Sequence, residues 1–183
     1  MYYYEGSIKI NKLSFFEQTR QSYGRTALFL SGGAGFGKYH SGFIKALHEM
    51  DLLPNIIVGA SAGSLMAACL CTLKRDEIHM LSKFDYMWGR KIVQFREDSI
   101  LQNIQIAANG SPLGYVDQLK LFIRDLTRDL TFLEIYENNG WILNINVTDM
   151  GKRPRLLNYL TSPNVVVWSA VVCSCALPEF YGP

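Results

Sequence analysis

The sequence predicts an α/β fold built on a parallel sheet, and three observations predict it. A short apolar run at 27–30 leads into a glycine-rich loop and then a helical pattern. A β-branched run, Ile56, Ile57 and Val58, leads into a second glycine-flanked turn and a long apolar, alanine-rich run at 65–73. The crossover joining them is right-handed and returns the chain in the same direction, so both loops lie at the carboxyl ends of parallel strands and share one sheet edge.

Taken in order, residues 1–26 are mixed and weakly periodic, with Phe15, Phe16 and Tyr23 among polar residues, and read as the tail of a preceding segment. After the strand at 27–30, Phe43, Ala46, Leu47 and Met50 fall on one helical face. Residues 74–84 extend or follow the second apolar helix, and 109–112 (NGSP) read as a loop. Phe84, Tyr86, Met87, Trp88 and Phe95 form an aromatic-rich stretch, suited to core, an acyl pocket or lipid contact. An amphipathic helix covers 117–130, apolar at Leu119, Phe122, Ile123, Leu126 and Leu130. Thr131 and Glu134 have capping-box spacing for a short helix that Asn138-Asn139-Gly140 ends. Leu143, Ile145 and Val147 alternate with Asn144, Asn146 and Thr148 as a half-buried strand, Asp149 turns the chain, and 155–160 pairs back. Ser162-Pro163 has the cap-and-proline pattern of a helix start, running to Ala176.

Composition narrows the function classes. The 183-residue chain is 49% hydrophobic and 19% charged, with formal net charge +2 and no basic block or stripe, which points away from nucleic acid. Its four cysteines form two Cys-x-Cys pairs, Cys69/Cys71 and Cys173/Cys175, inside apolar helical runs. Zinc sites prefer wider spacing and no histidine lies near, so no metal is expected and buried reduced thiols are, which fits a cytosolic-facing protein. No signal peptide is expected, because Met1-Tyr2-Tyr3-Tyr4-Glu5 has neither a basic start nor an apolar run. No membrane span is expected either, because a strand and a Gly-Ser-Gly turn occupy the first half of the longest uncharged stretch, 56–73.

The chemistry concentrates in the two loops. In Gly59-Ala60-Ser61-Ala62-Gly63 a strand meets a helix with one serine at the bend, which is the context of a nucleophile elbow; Gly59 and Gly63 leave room for a turn too sharp for side chains. In Ser31-Gly32-Gly33-Ala34-Gly35-Phe36-Gly37, four glycines precede a helix N-terminus, so several N–H groups face one point and suit an anion. Three anions fit such a loop. A phosphate is favoured by a Walker A pattern at 32–38, which breaks at Tyr39, where the metal-binding Ser or Thr belongs. A dinucleotide pyrophosphate meets Ala34 at its middle glycine. A transient oxyanion on an attacked carbonyl explains the serine on the next strand.

The loop, GASAG at 59–63 and WSAVVCSCALP at 168–178 together resemble the patatin-like phospholipases. FFEQTRQSYGRT at 15–26, KAL at 45–47, LLP at 52–54 and RLLNYL at 155–160 resemble, more narrowly, the triacylglycerol lipases of yeast lipid droplets and plant oil bodies. The resemblance implies a three-layer α/β/α sandwich with a mainly parallel sheet, C-terminally incomplete, with 1–26 a preceding segment and 27–183 a partial catalytic domain. It implies acyl-ester hydrolysis by a serine and an aspartate without histidine or cofactor, Ser61 being the nucleophile and Gly32, Gly33, Ala34, Gly35 and Gly37 the oxyanion hole. Ala34 stands where the family has glycine. The family's aspartate lies in an Asp-Gly step past the helix that ends near Ala176, and this chain has no aspartate after Asp149. Asp149 is read as a turn residue, and His40, His48 and His79 as loop or solvated histidines without proton-transfer roles.

The implied partners are neutral lipid or phospholipid and an intracellular lipid-droplet or endoplasmic-reticulum surface, touched peripherally. The competing readings are a catalytically inactive lipid-surface or scaffold protein, an acyltransferase or phospholipase using the same acyl-enzyme, and a nucleotide-binding module on 32–38.

Overall fold

The computed structural model describes residues 12–82, 113–149, 151 and 153–176. Strands β1 (Ala27–Leu30), β2 (Ile56–Ala60), β3 (Ile142–Thr148) and β4 (Pro154–Leu157) form one sheet in the order β1-β2-β3-β4. β1 and β3 both pair in parallel with β2, and β4 runs antiparallel on β3. Flanking it are α1 (Lys12–Tyr23), α2 (Tyr39–Glu49), α3 (Ala62–Thr72), α4 (Leu113–Thr127), α5 (Phe132–Asn139) and α6 (Val167–Cys175), with short 3-10 segments at Ala34–Lys38 and Arg75–Ser82. The second of these shows that the chain at 74–82 follows the elbow helix and does not extend it. The aromatic-rich stretch at 84–95 and the loop at 109–112 lie outside the described residues.

The core gathers along α3. Met66, Ala67, Ala68, Leu70 and Cys71 are fully enclosed, in one core with Ile57 and Ile145 of the sheet, Ile123, Phe132 and Val171 of the other helices, and Trp141 just before β3. Each such large aliphatic side chain contributes on the order of 1.5–3 kcal/mol through burial. The capping box of α5 forms as its spacing predicts: Glu134 N–H donates to Thr131 Oγ1 at 3.2 Å while Thr131 N–H donates to Glu134 Oε2 at 2.8 Å. Gly140 then closes the helix at φ 70°.

Five expectations change. Residues 12–23 are helical, supported by Thr19 Oγ1 bonding the Phe15 carbonyl one turn back. The apolar face of α2 points outward: Phe43, Ala46 and Met50 are exposed and Ile44 is the buried residue. β3 is no half-buried strand: α3, α5 and α6 pack on it, and Leu143, Asn144 and Ile145 are buried in succession. Asn144 is tolerated there because its amide donates to the Ile57 and Ile142 carbonyls and its oxygen accepts from Asn158. The last helix starts at Val167, five residues after Ser162, because the carbonyls of Pro163 and Val165 are taken by the N–H groups of Leu133 and Phe132 at the start of α5. Finally, Cys69 and Cys71 are buried but Cys173 is exposed and Cys175 partly so; all four are free.

Candidate active site

Ser61 stands alone between β2 and α3 with φ 51° and ψ −124°, a backbone conformation that costs a non-glycine residue about 1–3 kcal/mol. The bend is possible because two glycines admit backbone where a side chain would stand. A Cβ on Gly63 would lie 2.0 Å from the Leu30 carbonyl oxygen, and one on Gly59 would lie 2.5 Å from the Gly63 oxygen. The end of β1, the elbow and the first turn of α3 are therefore in mutual backbone contact. The Ser61 carbonyl is held by Ser64 Oγ at 2.6 Å and by the Ser64 N–H at 2.8 Å.

The parallel register places Leu30 beside Gly59, so the glycine loop emerges next to the elbow. Gly32 faces Ser61 so closely that a Cβ there would sit 3.1 Å from the serine Cβ and 3.8 Å from its Oγ. Gly37 is buried against Ala62, where a Cβ would come within 2.9 Å of the alanine Cβ. Gly33, Ala34 and Gly35 are exposed, and a Cβ on Gly33 or Gly35 would meet no atom of the elbow. The structure thus brings Gly32 against Ser61 and Gly37 against Ala62, with Gly59 and Gly63 at the bend itself, and leaves the middle of the loop open. Gly33 at φ 152° and Ala34 at φ 47° turn the chain there, so the alanine itself occupies a left-handed position.

His40 Nε2 donates to the Ser31 carbonyl at 2.9 Å, tying the start of α2 to the start of the loop. Asp149 is committed to the β3–β4 turn, accepting from Arg153 N–H at 3.0 Å and pairing with Arg155 at 3.2 Å, which holds its carboxyl below the usual range. Among the described residues no carboxylate is hydrogen-bonded to Ser61. Lys38, the Walker-type lysine, is exposed with its Nζ 5.5 Å from the Tyr39 ring centroid. Among the described residues no cluster of His, Cys, Asp or Glu suits a metal ion, and no helix is long and apolar enough to cross a membrane.

Two further residues near Ser61 lie in the WSAVVCSCALP stretch, where sequence alone assigns them no role at the serine. Ser174 Oγ accepts the Ser61 N–H at 2.8 Å. Burial raises the Cys175 thiol above its ordinary value, with Ser64 and Ser61 nearby pulling partly the other way. Both sit at the end of α6, in a run whose apolar periodicity masks them.

The family model described as patatin-like phospholipase matches residues 28–183. The chain belongs to the patatin-like phospholipase family. Within this patatin-like group it is 43% identical over 180 residues to Triacylglycerol lipase SDP1L of Arabidopsis thaliana, covering 93% of this chain and 21% of the relative. It is 40% identical to Triacylglycerol lipase ptl2 of Schizosaccharomyces pombe, covering 92% of the chain and 27% of the relative. With Triacylglycerol lipase 4 of Saccharomyces cerevisiae the identity is 41%, covering 92% of the chain and 19% of the relative. The chain therefore spans between 19% and 27% of the length of these relatives. VipD of Legionella pneumophila shares the fold, with a TM-score of 0.53 at 17% identity over 87% of this chain and 43% of that one. The four-stranded, mostly parallel sheet flanked by helices is thus part of a patatin-like α/β domain.

Proposed function

We propose that this chain carries the nucleophile and oxyanion donors of a lipid acyl-ester hydrolase acting on triacylglycerol. The observation that carries the reading is the strained Ser61 elbow with Gly32 packed against it. Ser61 Oγ attacks the ester carbonyl, and the tetrahedral oxyanion accepts hydrogen bonds from loop N–H groups of residues 32–37. The C–O bond to the glyceride then breaks as the Ser61 hydroxyl proton passes to the departing glyceride oxygen, and water hydrolyses the acyl-enzyme, releasing fatty acid and returning a proton to Ser61 Oγ. A loop donor of this kind is worth on the order of 10²–10³ in rate. Triacylglycerol is favoured over phospholipid by the names of the relatives above. Residues 27–183 belong to the catalytic unit in this reading, and 1–26 to a preceding segment.

A lipid surface fits the outside of the site. Phe36, Tyr39, Phe43 and Met50 recur at helical spacing and are 73%, 66%, 54% and 65% exposed. Phe36 stacks on Tyr39 at 6.2 Å, so the face begins in the glycine loop itself. Exposed apolar faces of this kind mark contact with membranes or partners. Droplet or endoplasmic-reticulum surfaces are the proposed location.

The test is labelling of the purified protein with a serine-directed fluorophosphonate, alongside release of fatty acid from triolein emulsion. Labelling at Ser61 and lipolysis, both lost in Ser61→Ala, is the expected result; lipolysis that persists in the variant overturns it. The second reading is a lipid-surface protein without turnover, which the exposed face of Phe36, Tyr39, Phe43 and Met50 would also serve. It requires emulsion binding that Ser61→Ala leaves unchanged and no turnover.

A further inference from the structure

The pairing of β2 with β3 ends at Ala60 and Asn146. One residue later the chain swings into the elbow, so the Ser61 N–H is the first donor of β2 past the ladder. The Asn146 carbonyl is left at the same level on β3. A single hydroxyl joins the two: Ser174 Oγ accepts from the Ser61 N–H at 2.8 Å and donates to the Asn146 carbonyl at 2.7 Å. Both distances lie in the range of well-formed hydrogen bonds. The hydroxyl comes from a firmly placed element, since Ala170 and Val171 of α6 are buried in the core and α6 packs on α3 and β3.

We infer that Ser174 is a positioning residue for the nucleophile. The inference rests on the reading of Ser61 given above. Its physical basis is that a residue at φ 51° keeps its conformation only when its surroundings over-determine it. The Ser61 carbonyl is already held by Ser64. The amide on the other side of the Cα has Ser174. With both peptide planes held, the Cα–Cβ direction beside Gly32 is set, which confines Oγ to the staggered positions about one fixed Cβ. Only an atom that both accepts and donates can make this bridge; alanine does neither and a thiol does both weakly. Displacement of a reacting atom by about 1 Å costs on the order of 10²-fold in rate.

The experiment compares the protein with Ser174→Ala and Ser174→Thr. It reads the fluorophosphonate inactivation rate constant, the reagent's affinity and the hydrogen exchange of the Ser61 amide. Ser174→Ala is expected to slow inactivation about 10- to 100-fold with affinity within about twofold, because orientation and not binding is lost. The Ser61 amide is expected to exchange at least about tenfold faster while the β2 amides at Ile57 and Val58 hold. Ser174→Thr, which keeps the hydroxyl, restores the rate. If Ser174→Ala does not fold, Ser174→Cys takes its place with the same expectation. Inactivation at the wild-type rate in the alanine or cysteine variant, or unchanged exchange at Ser61, overturns the inference. A wild-type protein that leaves Ser61 unlabelled overturns the nucleophile reading and the positioning role with it; the exchange comparison still reports separately whether the hydroxyl holds the elbow.

Discussion

The molecule contains the same strand–loop–helix arrangement twice, and the two copies are built to opposite tolerances. In the β2–Ser61–α3 unit, α3 buries nine of its 11 residues and the bend has no free space. In the β1–loop–α2 unit, α2 buries Ile44 alone of its 11 residues, and the loop from Gly32 to Phe36 is exposed. β2 lies between β1 and β3, whereas β1 is the edge of the described sheet, and that difference in place separates the two. A central unit is pressed from both sides and can hold one strained residue in one conformation. An edge unit keeps its loop open to whatever approaches the serine.

The sharpest way to break this contrast is a pair of glycine substitutions. Gly63→Ala drives a methyl to 2.0 Å from the Leu30 oxygen and is expected to cost about 3 kcal/mol or more, read from the urea unfolding midpoint. Gly35→Ala meets nothing within 4 Å and is expected to stay within about 0.5 kcal/mol of the parent. Equal losses in the two would erase the difference between the units.

The open unit is tested on its outer face. Tyr39→Ser with Phe43→Ser is expected to lower partition onto triolein droplets about tenfold, a difference of about 1.4 kcal/mol, while unfolding moves by no more than about 0.5 kcal/mol. Unchanged flotation of the double variant would leave that face without a lipid role. The strain in the closed unit gives a smaller effect. Ser61→Gly abolishes labelling and, by relieving φ 51°, is expected to stabilise by about 1 kcal/mol, a melting-temperature rise of roughly 2–4 °C; Ser61→Ala keeps the strain and gains nothing.

The smallest effect concerns the helices that pack beside the closed unit. Asp129 accepts two bonds from Arg124 at 2.7 and 2.6 Å and one from Trp168 Nε1 at 2.9 Å, joining the end of α4 to α6. The Arg124 guanidinium first, then Trp168, holds its carboxyl below the ordinary value of 3.8. Its contribution is therefore present above that value and is lost as pH falls through the lower folded-state value. Asp129→Asn should flatten the acid limb of the stability curve below about pH 4, and an unchanged limb would assign that limb to other carboxylates.

Much of this was legible in the chain. The strand and helix order, the capping box at Thr131 and Glu134, and the glycine-flanked serine follow from local chemistry, because caps, turns and backbone freedom act over three or four residues. The faces of α2 and β3 were not legible. Periodicity shows that Phe43, Ala46 and Met50 share a side, but which side meets the core depends on where β1 sits in the sheet. Asn144 reads as solvent-facing until Asn158 comes back along β4 to satisfy it.

By itself, then, the sequence determined the four strands and the helices between them, the two loops, and the family that the match over residues 28–183 establishes, but not the helix at 12–23 or the start of the last helix. Tertiary structure decided which loop glycines meet the elbow: Gly32 lies against Ser61 and Gly37 against Ala62, while Gly33 and Gly35 meet neither. It also brought Ser174 to Ser61 across 113 residues of chain. The physical reason is range. A residue's conformational preference is carried in its own neighbourhood, but a contact between chain-distant backbone groups exists only after the sheet has set its register.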